Sequence, residues 1–131
     1  MDNAKIEYLK ANGVNTEIGI QNTSDVETYN EILLDFCNSF PQEMQKVNAY
    51  RQNNDINNYT ILVHALKSNC RMLGFTSLGE MFYQHELAGK ENNTTYINNN
   101  FDSLISECNK VYGLLLNYNP SKIKNADSIK R

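Results

Sequence analysis

The segment "RMLGFTSLGEMF", Arg71 to Phe82, restricts the fold more than any other part of the chain. Upstream of it, apolar residues recur every three to four positions from about Asp55 to Leu73, the period of a helix with one buried face. Gly74 suits the left-handed residue that ends a helix. Ser77 and Glu80 match the serine-x-x-glutamate box that opens one. Helices joined by so short a connector must lie antiparallel as neighbours.

The same period recurs along the chain. "DNAKIEYLKANG" predicts a short amphipathic helix with Ile6 and Leu9 inward, stopped at Gly13. "VNTEIGIQNT" reads as an irregular connection with room for one helical turn. Ser24 and Glu27 form another capping box, followed by the stripe Val26, Tyr29, Leu33, Phe36, Cys37 and Phe40. Pro41 fits the first turn of a separate helix, "PQEMQKVNAYRQ", with Met44 and Val47 inward. The helix after Ser77 runs through Leu78, Met81, Phe82 and Leu87 to about Lys90. A last one spans about Tyr96 to Asn117, with Phe101, Leu104, Ile105, Cys108, Val111, Tyr112 and Leu115 inward, and Pro120 closing it. With only two prolines and six glycines in 131 residues, little interrupts these segments. The expected fold is all-α: an antiparallel up-down four-helix bundle with a short extra N-terminal helix. One domain covers residues 1–118, and 119–131 form a linker or tail.

A formal net charge of −3, with basic residues scattered except in the tail, argues against nucleic acid as the main partner. No apolar run reaches membrane-spanning length, so no direct membrane contact is expected. The N-terminus has no apolar core behind a basic start and does not read as a signal peptide. Cys37, Cys70 and Cys108 are odd in number and lack a short ligand spacing. They read as buried free thiols in a reducing cytoplasm, with no metal site.

Chemistry concentrates around one of two histidines. With Leu62 at the centre of the buried face, Leu66, Asn69 and Leu73 fall close to it, while His64 lies on the opposite face with Thr60, Lys67, Ser68 and Arg71. No sequence pattern supplies a serine or cysteine nucleophile for His64 to activate, or further metal ligands. From periodicity alone His64 reads as a plain surface histidine; the chemistry that would suit it is nucleophilic, since an exposed imidazole is itself a nucleophile near neutral pH. Lys67 lies one turn on, where its ammonium can neutralise phosphoryl oxygens, and the short Ser68 leaves room for approach. Lys67 has no acidic residue three or four positions away, so an ion pair within its own helix is excluded. His85 falls on the buried stripe with Leu78, Phe82 and Gly89 and reads as structural.

The motif "HALKSNCRMLGFTSLGEMFYQHELAGK" resembles the histidine-containing phosphotransfer (HPt) domain of bacterial multistep phosphorelays. The matching positions are His64, Lys67, the small Ser68, Leu73-Gly74, Leu78-Gly79 and His85-Glu86, and the likeness extends over roughly residues 5 to 118. It departs at Ser68, where glycine is common, and at His85, where leucine is usual.

The resemblance implies a phosphorelay intermediary, not an enzyme with an ATP-binding kinase core. His64 would take a phosphoryl group from the aspartate of one receiver domain and pass it to another. Lys67 would stabilise the phosphoryl charge, and Ser68, Arg71, Glu86 and Lys90 would be accessory. Glu86 either hydrogen-bonds the imidazole and fixes its tautomer or is a solvated cap of the bundle. No cofactor is implied for this chain; magnesium would sit on the partner receiver. The implied partners are response-regulator receiver domains and a hybrid sensor kinase, with the chain monomeric and cytoplasmic, or on the cytoplasmic side of the membrane within such a kinase. The competing readings are a helical protein-interaction module and a decoy that docks receivers without phosphotransfer.

Overall fold

Gly74 adopts the left-handed conformation, φ 93°, and ends a helix as its position predicts. The Phe75 amide donates to the Cys70 carbonyl at 2.8 Å, closing the last turn. A side chain at Gly74 would run into the Asn15 backbone, and the Asn15 amide donates to the Gly74 carbonyl at 2.9 Å. The turn is thus tied to an earlier part of the chain.

The computed structural model describes residues 3–118, and among these every regular element is helical. The helices are α1 (Asn3–Ala11), α2 (Thr16–Thr23), α3 (Val26–Gln52), α4 (Ile56–Leu73), α5 (Thr76–Lys90), α6 (Thr94–Asn99) and α7 (Phe101–Tyr118). No helix among the described residues is long and apolar enough to cross a membrane. The tail 119–131 and the closing role of Pro120 lie outside the described residues.

Several boundaries differ from the sequence expectation. The supposed connection "VNTEIGIQNT" contains α2, because the Asn15 side chain accepts from the Ile18 amide and caps a helix there. Ser24 does not cap α3: it closes α2 at φ 92°, and Asp25 caps instead, accepting from the Thr28 amide at 2.7 Å. Two adjacent cap-formers competed, and the carboxylate, a charged acceptor, took the position. Pro41 lies inside α3 rather than at a new start. It removes one amide donor, yet Phe36 and Phe40 before it and Val47 after it are buried on one continuous stripe, and that packing carries the helix through. The Ser77–Glu80 box does not form either; α5 begins at Thr76 after Phe75, which has no side-chain cap but is buried and stacked on Phe36 at 5.9 Å. Packing sets that start. The last long helix divides into α6 and α7 at Asn100, whose side chain donates to the Tyr96 carbonyl at 2.9 Å and competes with the continuing turn.

The core gathers Tyr29, Leu33 and Phe40 of α3, Tyr59, Val63, Leu66 and Leu73 of α4, Leu78 and Phe82 of α5, and Leu104, Val111 and Leu115 of α7. Tyr29 buries its ring and donates to the Leu73 carbonyl at 2.8 Å. Cys37, Cys70 and Cys108 are buried free thiols; burial pushes all three up, Cys37 and Cys108 to about 12. His85 is buried, as expected, and shares a 2.8 Å hydrogen bond with the Tyr59 hydroxyl. Leu87 of the same helix is exposed.

The pairing of α4 with α5 positions everything that follows. Thr60 faces Gly89, His64 faces Glu86 and Arg71 faces Gly79, so the two helices run antiparallel in close contact. A Cβ at Gly89 would collide with the Thr60 hydroxyl, and one at Gly79 would come within 3.1 Å of Arg71 Cγ. The two glycines bracket Glu86 and let its helix approach α4 closely enough for side chains to meet.

Candidate functional site

α4 is turned relative to the sequence-based wheel. Val63 and Cys70 are fully buried, Leu62 is half-buried and Asn69 is exposed, so the inward face centres nearer Val63 and Leu66 than Leu62. That turn carries His64 from the pole opposite the core to the seam beside α5. Its side chain remains 58% exposed, yet one edge of the ring now meets Glu86.

Glu86 is the centre of the site. Its side chain is only 2% exposed. Oε2 lies 2.7 Å from His64 Nδ1 and 3.1 Å from Lys90 Nζ, and Oε1 lies 2.7 Å from Lys67 Nζ. Burial alone pushes this carboxyl up, but hydrogen bonding to Lys67, His64 and Lys90, with the Lys67 charge, outweighs it and holds the pKa at about 2. A carboxylate ionised at neutral pH only accepts hydrogen bonds. Nδ1 at 2.7 Å must therefore carry the hydrogen and donate it, which in the neutral ring leaves the lone pair on Nε2. Of the two open readings of Glu86, the hydrogen bond to the imidazole is the one present; the carboxylate is not a solvated cap.

The Lys67 side chain is only 13% exposed, not part of an open outward face. No acid stands three or four positions away on its own helix, and the partner comes from the neighbouring helix. Its ammonium also lies 3.3 Å from His64 Nδ1, on the edge whose hydrogen already goes to Glu86. Lys90, four residues after Glu86 on α5, is 62% exposed. Ser68 is exposed and donates its hydroxyl to the His64 carbonyl at 3.2 Å. It packs no bulk beside the ring. Arg71 is brought near the site less directly, reaching Glu80 at 3.7 Å across the helix pair.

A shallow depression of about 300 Å³ opens beside His64, lined by Asn57, Thr60, Ile61, His64, Glu86 and Lys90. Ile61, one turn before His64, is a large exposed apolar residue at its rim. Sequence reasoning missed Asn57, Ile61 and Tyr83, whose ring lies under Lys67. The helical spacing of Ile61 and His64 was a usable signal for the first two; nothing in the sequence alone pairs Tyr83 with Lys67. Among the described residues no cluster of three or more histidine, cysteine or acidic side chains could hold a metal ion. The arrangement offers one nitrogen nucleophile, a fixed tautomer and cations within a turn of it. Comparison with protein-family models, with curated proteins and with solved structures returns no match to this chain.

Proposed function

We propose that the chain is a histidine phosphotransfer module, with its four long helices as an up-down bundle and its site at the seam of α4 and α5. The observation that carries this reading is the 2.7 Å contact of His64 Nδ1 with the buried Glu86 carboxylate. It makes Nε2 a nucleophile without any proton having to leave. The Nε2 lone pair attacks the phosphorus of an aspartyl phosphate on a receiver domain. The new N–P bond forms as the acyl phosphate P–O bond breaks, and the aspartate carboxylate departs with the electron pair. Nδ1 keeps its hydrogen, the ring gains positive charge, and Glu86 compensates that charge at contact distance. Transfer onward to a second receiver reverses these steps and returns a neutral imidazole. Lys67 and Lys90 meet the phosphoryl oxygens, and Ser68 keeps the approach open. Arg71 adds positive charge further along the seam.

The partners in this reading are receiver domains, free or joined to a hybrid sensor kinase, and magnesium belongs to the receiver. The chain acts as a phosphocarrier at the cytoplasmic side, as a monomer. A receiver-docking decoy or an interaction module would have no use for a tautomer-fixing carboxylate under the histidine, and the Glu86 contact favours the carrier over both.

The test is incubation with a phosphorylated receiver domain. Wild-type protein acquires an acid-labile, alkali-stable label, His64→Gln acquires none, and ATP alone labels neither. Label that persists in His64→Gln would remove the assignment.

A further inference from the structure

Tyr83 lies on α5 three residues before Glu86, so both side chains leave the same face of that helix. Its ring is approached by two cations from successive turns of α4. Arg71 Cζ lies 4.9 Å from the ring centroid and Lys67 Nζ 5.4 Å from it. Both distances are within the reach of a cation–π attraction. The bare backbone at Gly79 allows this, since a Cβ there would come within 3.1 Å of Arg71 Cγ. Glu80 holds Arg71 from the side at 3.7 Å.

On the phosphotransfer reading, on which this inference rests, we propose that Tyr83 is a positioning residue that acts through Lys67. A carboxylate and an aromatic face hold an ammonium differently. Glu86 cancels the Lys67 charge at 2.7 Å. The ring attracts the ammonium through its quadrupole and leaves the net positive charge intact. A phosphoryl group on His64 Nε2 competes with Glu86 for Lys67. When Lys67 gives up the carboxylate, the ring face keeps its side chain from swinging into solvent and holds the charge within a turn of the histidine. Arg71, at 4.9 Å from the same ring centroid, narrows the positions open to Lys67. The tyrosine hydroxyl has no part in this, only the ring.

The proposal predicts a pattern across variants. Tyr83→Leu, which keeps apolar bulk and loses the ring face, should slow transfer from a phosphorylated receiver by about three- to tenfold, the scale of one or two exposed cation–π contacts. Tyr83→Phe should transfer at the wild-type rate. In a double-mutant cycle, Tyr83→Leu should add little to Lys67→Ala, because its effect passes through the lysine. The Lys67 ε-methylene protons should be shielded by ring current in wild type and Tyr83→Phe, and should move to ordinary shifts in Tyr83→Leu. Full additivity in the cycle, a Phe variant as slow as Leu, or unshifted Lys67 protons in wild type would each overturn the proposal. Absence of label on wild-type protein would instead remove the phosphotransfer reading, and this role with it. Label on wild type with an unchanged Tyr83→Leu rate would remove this role alone.

Discussion

Replacing Glu86 by Gln keeps the shape of the side chain and one acceptor oxygen but deletes the charge on which His64, Lys67 and Lys90 converge. The folded-state pKa lies below the unfolded value, so Glu86 contributes stability above the unfolded pKa and loses it as pH falls through the folded one. The window runs from the reference value of 4.5 down to about 2. That interval corresponds to about 3 kcal/mol at neutral pH. Lys90 is 62% exposed and its share is screened by water, which brings the expected contribution to about 1–3 kcal/mol. Urea unfolding of wild type and Glu86→Gln at a series of pH values measures it. The two should differ by that amount at pH 7 and converge progressively below pH 4.5. A difference that stays constant from pH 7 to pH 3 would refute the reasoning, because a charge that is never neutralised in that range cannot be the source of the effect.

Lys67→Ala should lower stability by about 1–3 kcal/mol, since it strips one ion partner from a buried carboxylate. Lys90→Ala, at a largely exposed position, should cost under about 0.5 kcal/mol; equal melting shifts for the two would contradict the burial difference. His85→Ala should cost about 1–3 kcal/mol by emptying a core position and leaving the Tyr59 hydroxyl without its partner. Burial holds His85 below its usual pKa against an opposing hydrogen bond to the Asn100 backbone. Its contribution is therefore present above about pH 6.5 and falls away as acid protonates the unfolded chain first, so the wild-type advantage over His85→Ala should shrink below that pH. Gly89→Ala should destabilise by about 1–3 kcal/mol by pushing α5 off Thr60. Thr60→Ala should restore part of that loss, and no restoration would place the clash elsewhere.

The all-helical character, the Gly74 turn and the burial of His85 were legible in the sequence because each depends on local period or on one backbone conformation. The boundaries that differed are places where two local signals competed. Ser24 and Asp25 stand side by side, and only the energies of the two caps decide between them. Pro41 signals a start, but the stripe from Phe36 to Val47 is continuous through it, and burial of that stripe outweighs one missing hydrogen bond. Asn100 carries a side chain that competes with its own helix, which a periodic apolar pattern does not register.

The residue types of the site were legible, and the His64–Glu86 contact was one of two readings left open, but the pairing of Lys67 with Glu86 was not. His64 and Lys67 share a helical face by spacing and stand out only through the longer family motif, since His-x-x-Lys alone is a weak signal, and their contacts depend on a rotation of α4 small enough to leave its apolar pattern unchanged. Placing Leu62 at the centre sends His64 away from every other helix; placing Val63 and Leu66 there brings it against α5. The choice is made by tertiary contacts, chiefly by the two glycines that let α5 come close. Once the helices touch, the absence of an acid on the helix of Lys67 no longer implies a free cation. It means that the counter-ion must come from across the seam, where the same carboxylate can also hold the histidine. One buried carboxylate then holds His64 Nδ1 and Lys67 Nζ at once, each at 2.7 Å, and neither contact can be read from one helix alone.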